Sequence, residues 1–381
     1  MKKIAVFFLT SIISLLPTNF SHANDNAQYN NFLELENKID SIPREAWQNS
    51  QLKQGSTPIP NVSLIYGPSV KDDWSEGLES IANVSNLFSK FQQPKFTYIY
   101  FYNISDVDWA DKKIEELLSD SEEKHFKQNN GGEIANSICP KLCTSAMQFT
   151  PYDSSQKVVD RKSIILIGTD VNLKQKYSAK KALFSHEYFH SLQRISLHDP
   201  KDQINVYTEY PPTWFSEGAA SFMENVSQNN SSYENYLGYR KFHYDRHITR
   251  TLPKSFFDNF LNESSLNSDW QRFNYEGMYE VGMRVVEILV AAGGIESLIN
   301  VYIDMAKGNT FLQSFNNVYG IKWTDAKVVM SKILVSKSEP KVEVSAIPTL
   351  TPTSNPKVDT YEDVIKSGGG GGILMRIFVA A

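Results

Sequence analysis

The sequence predicts an α+β protein in which a small sheet-containing N-terminal part precedes a mainly helical part. Two runs rich in β-branched and aromatic residues, at 95–104 and 162–171, predict strands. Between them, an acidic stretch at 108–126 has the pattern of a helix. From Ser178 onward the pattern becomes helical, so the strands and most of the helices are expected in successive parts of the chain.

Helix signals also define the elements at both ends of the folded region. An amphipathic stretch at 30–42 predicts a helix followed by a Pro-containing loop. In the C-terminal half, one helix opens after Pro211-Pro212 with Thr213 as its expected N-cap, and another stops at Gly293-Gly294. The predicted helices of this half cover about 179–197, a segment after residue 213, about 276–292, 295–306 and 323–336.

Composition divides the 381 residues into five segments. A basic start, an apolar run and a small-residue cleavage site predict a signal peptide at the N-terminus. Pro, Ser, Thr and charged residues without apolar periodicity predict a linker near the C-terminus. The segments are the signal peptide 1–23, an N-terminal α+β region 24–160, a mainly helical region 161–335, the linker 336–366 and a Gly-rich tail with a short apolar end, 367–381.

The signal peptide predicts export, to the periplasm or outside the cell. The alternative, a membrane anchor, is disfavoured because Pro17 stops the apolar run short of the ~20 residues that span a bilayer. No stable membrane span is therefore expected after cleavage. The tail resembles a truncated glycine-rich surface-sorting signal of exported bacterial proteins but lacks the basic terminus, so a flexible end without function is the alternative.

Charge and cysteine content narrow the possible partners. Cleavage leaves 36 Lys and Arg against 43 Asp and Glu, a formal charge of −7, so nucleic acid is not expected as a partner. Cys139 and Cys143 are the two cysteines of the chain, and both lie in the exported part. An oxidising compartment favours a short-loop disulfide between them over a zinc site, which needs more ligands.

The segment HEYFH, which begins at His186, carries the clearest chemistry. His186 and His190 are spaced i, i+4, so on a helix both imidazoles project from one face and can reach one ion. Glu187, beside the first histidine, is then positioned to take a proton from a metal-activated water as general base. Catalytic zinc usually takes three protein ligands, and Glu217, near the start of the next helix, supplies a third. The alternative for Glu217 is a solvated helical acid.

Three further histidines are weaker candidates for metal binding. His198 follows His190 by eight residues and competes with Glu217 as a ligand, although it is also placed as a cation at a helix end. His243 and His247 are again spaced i, i+4 and offer a second pair. A charged run of this kind is more often a solvated helix face, and a role in substrate binding or transition-state stabilisation is the alternative.

The segments HEYFHSLQ and PTWFSEGAASF together resemble the gluzincin zinc metallopeptidases, a group of the peptidase MA-like enzymes. The resemblance implies that His186, His190 and Glu217 bind zinc and that Glu187 is the catalytic base. The gap before Glu217 is longer than in the thermolysin and aminopeptidase branches and closer to the collagenase-like one. No collagen-binding module and no Gly-x-Met-x-Asn exopeptidase signature accompany these motifs.

A third segment, YEVGMRVVEIL, resembles the helix of the aminopeptidase branch whose tyrosine hydrogen-bonds the oxyanion. The resemblance implies this role for Tyr279, with Tyr275 as a rival because it too is followed by Glu and Gly. A packed aromatic on a buried helix is the alternative for either.

These observations predict an exported zinc-dependent metallopeptidase with one Zn²⁺ ion and a peptide or protein substrate. The alternative is a non-catalytic surface or scaffold protein that retains a gluzincin-like fold. No motif marks the cleavage specificity or the oligomeric state, and whether residues 24–60 form a propeptide is left open.

Overall fold

The computed structural model describes most of the predicted folded region. The described residues are 32–51, 60–120, 122, 135, 139, 143, 146–151, 161–170, 177–197, 211–241, 253–262 and 277–336. Several predictions fall outside them: the signal peptide, the tail, the linker beyond residue 336, Tyr275, His198, His243 and His247.

The fold is mixed α+β, as predicted, and its strands form one four-stranded sheet. The strands are β1 (Val62–Tyr66), β2 (Phe96–Tyr102), β3 (Ala146–Phe149) and β4 (Lys162–Gly168), in the order β1-β2-β4-β3. β1, β2 and β4 run parallel, and β3 pairs antiparallel with β4. β2 and β4 confirm the two predicted strands, whereas β1 and β3 were not predicted.

Both faces of the sheet are covered, which explains why β2 and β4 are almost continuously apolar. On β2, Ile99 and Phe101 belong to the large core shared with the C-terminal helices. The alternate residues Tyr100 and Tyr102 face a smaller core on the other side of the sheet. The sheet therefore forms the middle layer between two sets of helices.

Eleven labelled helices occur in the described part of the chain, together with shorter helical turns. The labelled helices are α1 (Ile42–Gln48), α2 (Leu78–Leu87), α3 (Val107–Leu117), α4 (Tyr177–Ser196), α5 (Thr213–Asn229), α6 (Tyr233–Arg240), α7 (Lys254–Asn262), α8 (Gly282–Gly293), α9 (Ser297–Met305), α10 (Phe311–Tyr319) and α11 (Trp323–Val335). All five predicted C-terminal helices are present, and α3 matches the acidic stretch. The sequence did not predict α1, α2, α6, α7 and α10.

The long helix α4 packs on the sheet and on α2, and so connects the two halves of the molecule. Ser191 on α4 hydrogen-bonds Ser163 on β4 at 2.6 Å between hydroxyl oxygens. β4 begins just after the predicted boundary at residue 160 but lies between β2 and β3, so the sheet takes strands from both sides of that boundary. One continuous core extends from Phe32 to Leu334.

Helix α5 is buried on nearly all sides because it packs between α4 and α8. Its first helical residue is Thr213, and Pro212 occupies the N-cap position that the sequence suggested for Thr213. Gly218 and Gly282 let α5 and α8 approach closely: a Cβ at Gly218 would lie 2.6 Å from the Gly282 carbonyl oxygen. The small residues after Glu217 therefore serve backbone contact between helices.

Within the described residues, no single helix is long and apolar enough to cross a membrane. The segments Met278–Gly293 and Ser297–Met305 reach the necessary length and hydropathy only as a pair bent by 96°. Both segments are largely buried in the main core.

Candidate metal centre

Two histidines on α4 form the first side of the site. His186 and His190 lie one turn apart, and their ring centroids are 4.8 Å from each other. α4 can present them inward because its other buried residues pack against the sheet and α2, which fixes the rotation of the helix. The predicted i, i+4 pair therefore shares one inward face.

Glu217 on α5 closes the site from the opposite side. Its Oε2 atom lies 3.2 Å from His186 Nε2 and 3.3 Å from His190 Nε2. One ligand atom from each of the three residues falls within 4.8 Å of the others, so the group could hold a metal ion. Glu217 is buried, which excludes the solvated-acid alternative.

The charges of these three residues depend on one another. Burial raises the pKa of Glu217, but the nearby imidazoles of His190 and His186 outweigh it and hold that pKa well below its usual range. Burial lowers the pKa of His186, but its hydrogen bonds to Glu217 and Glu224 outweigh this and raise that pKa well above the ordinary value. The arrangement therefore favours an ionised Glu217 carboxylate beside a protonated His186.

Glu187 lies beside this group without the contacts that a buried carboxylate normally has. Its side chain is fully buried, and neither carboxylate oxygen has a hydrogen-bond partner among the described residues. Burial raises its pKa, and the neighbouring histidines partly offset the rise. Buried polar groups are nearly always paired, so this carboxylate, next to three potential metal ligands, is a candidate functional residue.

A second carboxylate, Glu224, contacts the site from outside. Its Oε1 atom lies 2.6 Å from His186 Nδ1, and its Oε2 accepts a hydrogen bond from the Tyr239 hydroxyl at 2.7 Å. The sequence analysis did not identify Glu224, although a signal was present: it follows Glu217 by seven residues, two helical turns along the same face. Such outer carboxylates commonly orient metal-binding imidazoles.

Gln193 makes the corresponding contact for the second histidine. Its Oε1 lies 2.6 Å from His190 Nδ1, and its Nε2 donates to the backbone carbonyl of Ser216 at 3.0 Å. Gln193 was also missed, although its i+3 spacing from His190 places both side chains on one helix face.

Tyr279 reaches the same site from a third element. It lies in a π-helical turn, Gly277–Val281, directly before α8. Its ring stacks on the His186 imidazole with 5.7 Å between centroids and 19° between planes. Short π-helical turns are frequent at functional sites because they displace one side chain from the regular helical face.

Cys139 and Cys143 lie away from this group and are joined to each other by a disulfide. Both are buried in the smaller core on the far face of the sheet. The backbone amide of Cys143 donates to the Asp170 carboxylate at 2.7 Å, just beyond the end of β4. The bond thus lies in a structural layer apart from the candidate metal centre.

No protein-family model, curated protein or solved structure matches the chain.

Proposed function

We propose that the protein is an exported zinc-dependent metallopeptidase of gluzincin type. The observation that carries the proposal is the convergence of His186, His190 and Glu217 beside the orphaned carboxylate of Glu187. An unpaired buried acid beside a purely structural metal site would lower the stability of the fold and would contribute no bond to the metal.

The ligand types and their number suit catalytic zinc. Two imidazole nitrogens and one carboxylate oxygen form a set that zinc accepts, and structural zinc sites normally close with four protein ligands. The described part of the chain brings three such ligands together. When bound, zinc would supply a Lewis acid that lowers the pKa of a coordinated water and polarises a carbonyl.

Each neighbouring side chain then has a distinct task. Glu187 accepts a proton on a carboxylate oxygen and passes it to the departing amine. This role is favoured because Glu187 has no competing hydrogen bond among the described residues. Tyr279, whose ring lies against His186, is the candidate donor to the oxyanion. Glu224 and Tyr239 hold the His186 ring from behind.

The sheet offers a surface suited to an extended peptide. β3 lies at the margin of the sheet among the described strands, and α4, which carries both histidines, packs against it. Extended peptides bind such edges by adding a strand through main-chain hydrogen bonds. This placement supports a peptide or protein substrate, and the predicted signal peptide supports its encounter outside the cytoplasm.

Metal analysis and hydrolysis together test the proposal. Mature protein beginning at residue 24 should purify with one equivalent of zinc, and His186→Ala should lose it. Glu187→Gln should keep zinc and fold but hydrolyse a casein or peptide-library substrate ~10²–10⁴-fold more slowly, because Gln cannot accept the proton. If Glu187→Gln cleaved as fast as wild type, the enzymatic role would be wrong. Zinc binding without cleavage in wild type would favour the scaffold alternative.

A further inference from the structure

Gln193 contacts both helices of the candidate metal centre at once. It lies one turn after His190 on α4, and its side chain is almost fully buried. Its Oε1 is 2.6 Å from His190 Nδ1, and its Nε2 is 3.0 Å from the carbonyl oxygen of Ser216. Ser216 directly precedes Glu217 on α5, so one amide joins a histidine on α4 to the backbone beside the carboxylate ligand.

The chemistry of the partners fixes the orientation of this amide. A backbone carbonyl can only accept hydrogen bonds, so the NH₂ group of Gln193 must face Ser216. The Oε1 atom must then face His190, and because Oε1 is only an acceptor, His190 Nδ1 must carry the proton. The lone pair of a neutral His190 is thereby assigned to Nε2, the atom that faces Glu217 at 3.3 Å.

The Ser216 end of the contact is itself held in place. The Ser216 hydroxyl lies 3.0 Å from the Tyr302 hydroxyl on α9. Gln193 therefore donates to the carbonyl of a residue that a third helix holds in place. This contact fixes the Gln193 amide, which in turn orients the His190 imidazole. His186 has a different partner, since the Glu224 carboxylate lies at its Nδ1.

We propose that Gln193 is a positioning residue of the metal centre, which sets the Nδ1–H form of His190 and fixes its ring relative to the helix that carries Glu217. The inference rests on the proposed function for its consequence, metal binding, but the hydrogen bond itself needs no metal ion. A neutral amide on one histidine and a carboxylate on the other would allow the two ligands to differ in electron donation.

Three variants separate the parts of this role. Gln193→Met keeps an unbranched side chain but removes both hydrogen bonds. Gln193→Glu keeps an acceptor for His190 and removes the donor to Ser216. Gln148→Met is the matched control, because Gln148 is also buried and hydrogen-bonded, to Ser163 on β4 and to Thr150 just after β3.

Two measurements on the mature chain test the proposal. In the metal-free protein, wild type should show a hydrogen-bonded ring N–H resonance of His190 in ¹H–¹⁵N spectra, assigned by its loss in His190→Asn. That resonance should persist in Gln193→Glu and disappear in Gln193→Met. In competition with a chromophoric chelator, Gln193→Met should bind zinc ~10- to 100-fold more weakly than wild type, with Gln193→Glu closer to wild type and Gln148→Met unchanged.

The ring N–H resonance and the zinc affinity test the inference and the proposed function separately. If wild type bound no zinc, the proposed function would be wrong, but the ring N–H resonance would still decide the role of Gln193. An unchanged resonance in Gln193→Met would overturn the inference. So would zinc affinity in Gln193→Met equal to that of wild type, because neither hydrogen bond of Gln193 would then support metal binding.

Discussion

At the scale of single residues, the candidate metal centre departs from what stability alone would select. Glu187 is buried without a hydrogen-bond partner among the described residues, and beside it the buried His186 and Glu217 and the partly buried His190 lie within reach of one another. Burying such groups costs free energy unless they are paired or bind a metal. A cluster of ionisable groups that lowers the stability of an otherwise apolar core is typical of a functional site.

The clearest residue-scale prediction compares two glutamates on one helix. Glu217→Ala removes a proposed ligand and should weaken zinc binding by well over 100-fold, beyond the ~10- to 100-fold expected for an outer partner. Glu224→Ala removes the acceptor at His186 Nδ1 and the acceptor of the Tyr239 hydroxyl but no proposed ligand, and it should fall within that smaller range. Chelator competition measures both.

His198 provides the counter-test to this pair. The sequence identified it as a rival ligand, and His198→Ala is expected to leave zinc affinity unchanged. Zinc retained in Glu217→Ala but lost in His198→Ala would require a different zincin geometry and would remove the basis for the role of Tyr279.

The residues that the sequence could predict are those with a local pattern. His186 and His190 share one helix, so their spacing alone places them together. The prediction of Glu217 as a ligand depended on a motif in a second helix, because no spacing within α4 could indicate it. Tyr239 carried no local signal, because its contact with Glu224 depends on how α6 folds back against α5. Outer partners of this kind follow from tertiary packing and not from spacing.

At the scale of elements, the site depends on how closely α5 and α8 approach. A Cβ at Gly218 would fall 2.6 Å from the Gly282 carbonyl oxygen, so Gly218→Ala must push the helices apart. We expect a loss of about 1–3 kcal/mol in the free energy of unfolding. Because Gly218 adjoins Glu217, zinc affinity should fall in the same variant.

Gly238 on α6 is the matched control for this substitution. A Cβ there meets no atom within 4 Å, so Gly238→Ala should stabilise the protein by about 0.5–1 kcal/mol. Chemical denaturation measures both variants. Equal effects of the two substitutions would contradict the close-approach argument.

Asp304 joins α9 to α10 and gives an element-scale prediction of pH dependence. Burial raises its pKa, but hydrogen bonds from Asn317, Lys307 and Asn309 outweigh it and lower the pKa from the ordinary 3.8. Because the folded pKa is the lower one, this carboxylate stabilises the fold above pH 3.8 and loses that effect as the pH falls through the folded value.

The corresponding variant is Asp304→Ala. It should cost about 1–3 kcal/mol near pH 7, from the loss of hydrogen bonds to a charged group. The difference from wild type should shrink in unfolding experiments below the folded pKa. Asp325→Ala, at an exposed acid in the first turn of α11, should cost less. A difference that stayed constant with pH would be incompatible with this role for the charge.

The strands and helices that the sequence did not predict show which elements lack a clear local pattern. β1 and β3 are short, and each pairs with a strand that is distant in the sequence or separated by a long connection: β1 with β2, and β3 with β4. Their stability therefore comes mainly from tertiary contacts. α10 did carry a local signal. Thr310 and Gln313 form a capping box, and Gly320 ends the helix in the left-handed conformation with φ of 65°.

At the scale of the whole molecule, the N-terminal segment 32–51 is part of the folded unit. Phe32 packs against Phe315 and Tyr319, near the other end of the described chain. The Asn49 side chain donates to the carbonyl oxygen of Val290, in the last turn of α8. These contacts predict that removal of residues 32–51 would destabilise the fold.

Adjacent residues in this segment give the last prediction. Phe32 is 1% exposed and Leu33 is 42% exposed, so Phe32→Ala should cost about 3–5 kcal/mol and Leu33→Ala no more than about 0.5 kcal/mol. A chain that begins at residue 52 should fail to fold, because it loses Phe32 and all of α1. Removal of residues 337–381, which lie within the predicted linker and tail, should leave thermal unfolding unchanged. Thermal unfolding and limited proteolysis distinguish these outcomes. A shortened chain that folded and cleaved substrate faster than the mature protein would identify 24–51 as a propeptide after all.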